Sequence, residues 1–165
     1  MTGGERVIGF DPGLRVTGWG IVDAHRGRLS HVANGELKPD PTGETADRLA
    51  ELFAGLTGVI EQFAPDTAAV EEVFVHRSAS AALKLGMARG TALVVSANAG
   101  LPVAEYAPRS IKKALVGAGG ADKTQVQYMV RLLLPGCNPA GADAADALAV
   151  AIAHAHRLPF AAAAG

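Results

Sequence analysis

Two apolar runs separated by a tight turn constrain the fold more than any other feature of this sequence. The first run, residues 7–10, stops at Asp11-Pro12-Gly13, and the second, residues 16–22, begins a few positions later. This pattern predicts a β-hairpin. An ionised Asp11 at the end of a buried strand carries a large desolvation cost unless a cation or hydrogen-bond donors lie beside it. Asp, Pro and Gly also favour turns for local reasons, so the motif alone leaves a structural and a functional interpretation open.

The rest of the chain alternates between strand and helix patterns. A third strand is predicted over residues 29–37, an amphipathic helix from Thr42 or Glu44 to Phe63, and a buried strand over 67–74. The remaining predicted elements are helices over 79–99, 108–116, 122–134 and 143–156 and a short strand over 102–106. A crossover through a helix places the fourth strand parallel to a neighbour. The expected fold class is therefore α/β, with a five-stranded mixed sheet flanked by helices.

The helix predicted over residues 79–99 is apolar around most of its circumference. A helix of this kind is buried on more than one side. Either it lies at the centre of the subunit, or half of its surface faces a second subunit. We favour the second arrangement, because a domain of this size has little room for a fully enclosed helix.

Length and composition predict one domain and a cytoplasmic location. The 165 residues are 49% hydrophobic and 19% charged, which suits one core and is far from the composition of disordered chains. We expect a single domain over residues 1–157 and a disordered alanine-rich tail over 158–165. The single Cys137 excludes an internal disulfide, and we find neither a signal-peptide pattern nor an apolar run of membrane-spanning length. A soluble protein without membrane association is expected.

The net charge of −1 conceals an asymmetry along the chain. Residues 77–131 contain eight basic and two acidic residues, a net charge of +6, whereas the remaining segments carry −7. Such a basic segment is typical of polyanion binding, but solvated lysines and arginines on helices produce the same pattern. Charge alone leaves both explanations open.

Several carboxylates are predicted to meet at one edge of the sheet. Asp11 ends the first strand and Glu71 or Glu72 ends the fourth, so the two ends meet if these strands are adjacent and parallel. Asp143 and Asp146 are spaced i, i+3 and share one face of the last helix, whose apolar remainder must pack on the core. The helix dipole explains an acid at Asp143 well and one at Asp146 less well. A cluster of acids without counter-charges is what a site for Mg²⁺ or Mn²⁺ requires.

Five motifs, in this order, resemble the RuvC family of Holliday-junction resolvases. They are GFDPG around Asp11, AVEEVF around Glu71, AALKLG with ARG over residues 81–90, VGAGGADKTQVQYMV from Val116 and ADAADALAVAIAHAH from Ala142. Together they span nearly the whole chain, and several motifs in register are far more specific than one. The resemblance implies a ribonuclease H-like fold, a homodimer, and a metal-dependent endonuclease that cuts four-way DNA junctions.

The resemblance also implies roles for particular residues. The family's acidic tetrad, which holds two Mg²⁺ or Mn²⁺ ions, falls on Asp11, Glu71, Asp143 and Asp146. Glu72 departs from the family's pattern, and since strand alternation points it away from Glu71 we expect it to be a bystander. The expected DNA contacts are Phe74, Lys112 and Lys123, extended by Arg77, Arg109 and Lys113. The Phe74 ring suits base stacking and also suits a core position, and any single cation also suits a solvated surface.

The reaction implied by the resemblance is two-metal hydrolysis in which a two-fold dimer nicks two like strands symmetrically. The ends are a 5′-phosphate and a 3′-hydroxyl, which a ligase can seal during recombination and repair. The resemblance further implies a preference for a short cognate sequence and cooperation with a branch-migration motor of the RuvA and RuvB type.

Three other functions fit parts of the sequence. The Asp-Pro-Gly hairpin also resembles the first phosphate loop of actin-like ATPases and sugar kinases, which need a second domain and a second glycine-rich loop. A nuclease of the same superfamily that processes ribosomal RNA precursors is a closer competitor, although residues 142–149 and the long apolar helix favour the junction enzyme. A non-catalytic junction-binding protein is the third, and the intact acidic tetrad argues against it.

Overall fold

A five-stranded mixed sheet lies between two layers of helices in the computed structural model, which describes residues 3–72 and 78–158. The strands are β1 (Gly4–Asp11), β2 (Thr17–His25), β3 (Arg28–Leu37), β4 (Thr67–Glu71) and β5 (Val103–Tyr106), and the helices are α1 (Thr45–Phe63), α2 (Ala79–Asn98), α3 (Pro108–Val116), α4 (Lys123–Leu133) and α5 (Ala142–Ala155). The strand order is β3-β2-β1-β4-β5. The first three strands form an antiparallel meander, and β4 runs parallel to both β1 and β5. The predicted α/β class is confirmed.

Alternating side chains of the central strand β1 divide the core into two layers. Ile8 and Phe10 pack with α1 and α2, whereas Val7 packs with α3, α4 and α5. Because successive strand residues point to opposite faces, Gly9 and Asp11 belong to the same face as Val7. Asp11 therefore emerges, at the end of β1, on the side of the sheet that α5 covers.

Three glycines allow α5 to lie directly on β1 and β2. A β-carbon at Gly20 would lie 2.6 Å from Leu148 Cγ, and β-carbons at Gly9 and Gly18 would overlap the backbone of α5. Gly9 is paired with Gly20, and Gly18 is paired with Asp11, so the stretch without side chains reaches the end of β1. The first turn of α5 is thus brought against Asp11, because no side chain holds the helix away from the sheet.

Both strands of the first hairpin are longer than the apolar runs predicted. The pairing extends outward to Gly4 and His25. In this outer part Arg6 lies opposite Asp23, and its guanidinium donates to both carboxylate oxygens, at 2.7 and 2.9 Å. A cross-strand ion pair therefore continues the ladder where the hydrophobic pattern has ended.

Strand β4 ends at Glu71, before the predicted end of this strand at residue 74. The amide of Glu72 still donates to the carbonyl of Tyr106 at 2.7 Å, which keeps the chain beside β5 for one more residue. Phe74 and Arg77, both predicted DNA contacts, lie outside the described residues.

Among residues 3–72 and 78–158, helix α2 buries one narrow stripe. Its buried residues are Ala88, Ala92, Val95 and Ser96. The side of the helix that carries Leu83 and Val94 is open, since these residues are 62% and 51% exposed. An enclosed position at the centre of the subunit is therefore wrong for this helix.

His154, near the end of α5, ties the helix to two strands. Its Nε2 lies 2.9 Å from Thr67 Oγ1 on β4, and its Nδ1 lies 2.6 Å from the Tyr106 hydroxyl on β5. Burial lowers the pKa of His154, so the neutral ring is favoured and each nitrogen has a partner. Over the two ranges that the structure describes, no helix is long and apolar enough to cross a bilayer.

Candidate active site

Two carboxylates reach the same edge of the sheet at the ends of β1 and β4. These strands are parallel neighbours whose last paired residues are Phe10 and Val70, and Asp11 and Glu71 follow directly. Ala69 packs in the layer of α5, so alternation along β4 directs Glu71 to that layer as well. Of the two adjacent glutamates, Glu71 is therefore the one on the α5 side.

The N-terminal part of α5 completes a carboxylate cluster. One oxygen each from Asp11, Asp143 and Asp146 lies within 4.8 Å of the other two. Glu71 stands beside this group, at the end of the neighbouring strand β4. Burial and then the negative charge of Asp146 raise the pKa of Glu71, which agrees with this position. The structure thus brings together all four acidic residues that the sequence predicted, three of them in close contact and the fourth adjacent.

The cluster is short of positive charge. Burial, followed by the charge of Asp146 and a hydrogen bond with Asp143, raises the pKa of Asp11 to about 8. Burial also raises the pKa of Asp146, although the Lys123 ammonium at 3.1 Å opposes this shift. A carboxyl group whose pKa is raised in this way becomes easier to ionise when a cation is placed beside it.

The donor set fits a hard divalent cation. The three clustered residues offer only carboxylate oxygens, the ligand type that Mg²⁺ and Mn²⁺ prefer. All three are half-buried, so part of each remains accessible to solvent and to a phosphate group. The buried negative charge that raises the pKa of Asp11 is what such a cation would neutralise.

Two of the predicted DNA contacts lie next to the acids. Lys123, the first residue of α4, forms the ion pair with Asp146. Lys112 on α3 lies close enough to Glu71 for its positive charge to influence the pKa of that carboxyl group. Burial raises the pKa of Glu71, and the positive charges of Lys112 and Lys123 oppose that effect. Arg109 and Lys113 are exposed on α3, within one helical turn of Lys112. Lys112 and Lys123 therefore border the carboxylates, and Arg109 and Lys113 lie on the same helix as Lys112.

Glu36 on β3 is a further acidic residue at this edge, and it was not among the residues predicted from the sequence. Its Oε1 accepts hydrogen bonds from the backbone amides of Asp143 and Ala144, at 3.2 and 3.4 Å. Its Oε2 lies 3.5 Å from Lys38 Nζ. Gly141 could have indicated such a contact in the sequence. A helix that starts after glycine has no N-cap side chain for its first amides, so another residue must supply the acceptor.

Comparison with known protein families identifies the group to which this chain belongs. The family model described as crossover junction endodeoxyribonuclease RuvC matches residues 7–154. The chain belongs to the RuvC family. A relative named crossover junction endodeoxyribonuclease RuvC, from Paramagnetospirillum magneticum, is 57% identical over 151 residues, covering 92% of this chain and 91% of the relative. Its namesake from Cereibacter sphaeroides is 58% identical over 153 residues, covering 93% and 90%.

Solved structures support the same family. Thermus thermophilus RuvC matches with a TM-score of 0.84 at 35% identity, over 92% of this chain and 93% of that one. Thermus thermophilus RuvC in complex with a Holliday junction substrate matches with a TM-score of 0.86 at 37% identity, over the same shares of the two chains. The yeast mitochondrial Holliday junction resolvase Ydc2, at 13% identity and a TM-score of 0.66, shares the fold. The predicted family and its ribonuclease H-like fold are confirmed.

Proposed function

We propose that this RuvC-family chain is a crossover junction endodeoxyribonuclease that resolves four-way Holliday junctions by paired symmetric nicks, in DNA recombination and repair. The observation that carries the proposal is the cluster of Asp11, Asp143 and Asp146, with Glu71 beside it and Lys112 and Lys123 at its border. This arrangement combines ligands for hard cations with positive charge for a phosphate backbone. Its position in a chain of the RuvC family supports the junction as substrate.

The four carboxylates are proposed as both the catalytic and the metal-binding residues. Asp11 lies close to Asp143 and Asp146, and the charges of Asp143, Asp146 and Glu71 contribute to its raised pKa, so Asp11 would hold the cations together with these three residues. Two Mg²⁺ or Mn²⁺ ions supply, when bound, a lower pKa for the attacking water and charge stabilisation for the leaving oxygen. Each carboxylate sits at a strand end or in the N-terminal part of a helix, and this rigid support orients the scissile phosphate.

Hydrolysis at this site joins the water oxygen to phosphorus and breaks the bond from phosphorus to the 3′ oxygen, which takes up a proton. The products are a 5′-phosphate and a 3′-hydroxyl. Lys112 and Lys123 are proposed to hold the phosphates that flank the scissile bond. The Lys123 side chain is 61% exposed, which leaves it free to turn from Asp146 to DNA. Arg109 and Lys113 extend the surface, and Phe74 and Arg77, outside the described residues, are proposed to contact DNA as well.

A homodimer is proposed to form through α2. The exposed side chains of Leu83 and Val94 support this, since the described residues leave the apolar side of a long helix without cover. A two-fold dimer presents two identical sites, which suits two symmetric nicks in a junction with near two-fold symmetry. We further propose one nuclease domain over residues 1–157, a cytoplasmic location, and cooperation with a branch-migration motor of the RuvA and RuvB type.

The deciding experiment compares a mobile synthetic four-way junction with a linear duplex of the same sequence, in Mg²⁺, in Mn²⁺ and in chelator. We expect paired nicks confined to the junction and dependent on metal. Binding without cutting in either metal would favour a non-catalytic junction-binding protein. Cutting of structured RNA with no action on the junction would favour the nuclease that processes ribosomal RNA precursors.

Two adjacent lysines on α3 offer a test of the basic border. Replacing Lys112 with alanine is expected to lower the cleavage rate of bound junction about 100-fold, because this charge acts on Glu71 inside the site. Replacing the exposed Lys113 with alanine should weaken binding modestly and lower the salt slope of binding by about 1, with little effect on the rate. Single-turnover cleavage and salt-dependent gel shifts measure both quantities. Equal losses of rate in the two variants would contradict the placement of Lys112.

A further inference from the structure

Helix α5, which carries Asp143 and Asp146, begins without a capping side chain of its own. Its N-cap residue is Gly141, in an extended conformation with φ −174°. The first amides of a helix have no partner inside the helix, and a Ser, Thr, Asp or Asn at the N-cap commonly supplies one. In this chain the acceptor comes from a different element, the strand β3.

Two residues of β3 hold the entry to α5. Glu36 Oε1 accepts from the amides of Asp143 and Ala144, as described above, and its side chain is only 12% exposed. Two residues earlier, Asn34 Oδ1 accepts from the amide of Ala140 at 2.7 Å. The strand thus fixes the chain from just before the helix to its first turn.

Gly141 and Glu36 are matched to each other. A β-carbon at Gly141 would lie 2.7 Å from Glu36 Cδ and 2.8 Å from its Oε2, so a side chain here would displace the carboxylate. Either residue 141 caps the helix, or Glu36 does, and this sequence uses Glu36. The charge of Glu36 is compensated by the helix N-terminus and by Lys38 at 3.5 Å, so geometry is the main contribution of this residue to the site.

We propose that Glu36 is a positioning residue for divalent-cation binding: by holding the Asp143 and Ala144 amides it sets the orientation of the first turn of α5. The Asp143 backbone is bonded directly to Glu36, and the Asp143 side chain belongs to the cluster with Asp11 and Asp146. Loss of the bond lets this turn fray and spreads the ligand oxygens over several positions. The inference rests on the proposed function, because it takes these three carboxylates to be the ligands.

The test is direct Mn²⁺ binding to the DNA-free protein, by calorimetry or by the electron paramagnetic resonance of free Mn²⁺. Replacing Glu36 with alanine is expected to weaken Mn²⁺ binding about 10-fold, the lower end of the range for residues that orient metal ligands. Glu36→Gln keeps a carbonyl acceptor and should bind Mn²⁺ almost as tightly as the wild type. Glu61→Ala, an exposed carboxylate on α1, is the matched control and should bind Mn²⁺ as the wild type does.

A rescue variant separates positioning from a general loss of structure. In Glu36→Ala the space beside residue 141 is empty, so the added change Gly141→Ser can supply a hydroxyl acceptor for the same amides. We expect the double variant to recover most of the lost Mn²⁺ affinity. Thermal unfolding without metal shows which variants are folded, and if Glu36→Ala does not fold, the glutamine and double variants carry the comparison with wild type.

Three results would overturn the proposal. They are wild-type Mn²⁺ affinity in Glu36→Ala, a loss in Glu36→Gln as large as in Glu36→Ala, and a double variant no better than Glu36→Ala. Junction cleavage by the wild type is measured in parallel. A wild type that binds Mn²⁺ but cuts no junction would refute the proposed function, while the Mn²⁺ comparison would still decide the role of Glu36.

Discussion

Replacing Asp146 with asparagine is expected to keep junction binding and to lower the cleavage rate about 1000-fold. Asparagine has nearly the same size, so the packing of α5 is preserved, but it removes one of three clustered charges that a divalent cation needs. It also releases Lys123 from its ion pair at 3.1 Å, which leaves more positive charge for DNA. Junction affinity in chelator should therefore equal or exceed that of the wild type.

The matched control for this variant is Asp122→Asn. Asp122 caps α4 and lies next to Lys123, and its side chain accepts from the amide of Gln125 at 2.8 Å. Asparagine is as good a capping residue as aspartate, so this variant should cut the junction at close to the wild-type rate. Single-turnover cleavage at saturating protein, with gel shifts in chelator, measures both variants. Retained cutting by Asp146→Asn would rule out the role given to Asp146.

Three of the four acidic residues could be predicted because each is marked by a local pattern, and the fourth was narrowed to two candidates. Asp11 stands where an apolar strand run ends, and adjacent parallel strands bring such ends together. The pattern of the fourth strand left Glu71 and Glu72 open, and the resemblance to the RuvC family selected Glu71. Asp143 and Asp146 share a face through a spacing of three, at the start of a helix whose apolar remainder must be buried. Their catalytic roles, by contrast, came from the resemblance to the RuvC family, and the structure adds their proximity.

The contacts that hold the site together could not be predicted from such patterns. Glu36 accepts a hydrogen bond from the amide of Asp143, which lies 107 residues later in the chain, and periodicity carries no information over that distance. Gly18 and Gly20 were not singled out in the sequence, because the reason for a glycine at each position is the close approach of α5 to β2. In both cases the residue's role depends on contact with an element that is distant in the sequence, and local sequence patterns do not show which distant elements meet.

The end of β4 shows a related limit. The residues from Thr67 to Phe74 have a continuous strand composition, yet the ladder with β1 ends at the pair of Phe10 and Val70. Strand propensity describes how well a residue fits a pleated surface, and the length of the partner strand decides where pairing stops. In the described part of the chain, β1 ends at Asp11 and its pairing with β4 ends one residue earlier, at Phe10 and Val70.

Replacing Asp11 with asparagine is expected to stabilise the metal-free protein while removing its stabilisation by Mg²⁺. In the folded wild type the pKa of Asp11 is raised from 3.8 to about 8, so the folded state binds more protons than the unfolded state between these values. Stability therefore falls as pH rises from about 4 to about 8 and levels off above that range. The asparagine variant lacks this loss, and its amide can still donate to Asp143.

The advantage of Asp11→Asn should grow with pH and reach about 3 kcal/mol near pH 8, after allowing for partial hydration of the site. Denaturant unfolding in chelator, at several pH values from about 5 to about 9, measures it. In excess Mg²⁺ the order should reverse, because a cation that binds only the folded wild type stabilises it by mass action, whereas the variant has lost a ligand. If the variant is less stable than the wild type in chelator at every pH, the ionised Asp11 does not destabilise the folded metal-free protein. If divalent cations remove the destabilisation caused by Asp11, and Asp146→Asn abolishes cutting, then the same negative charge both destabilises the metal-free fold and binds the cations that the reaction requires.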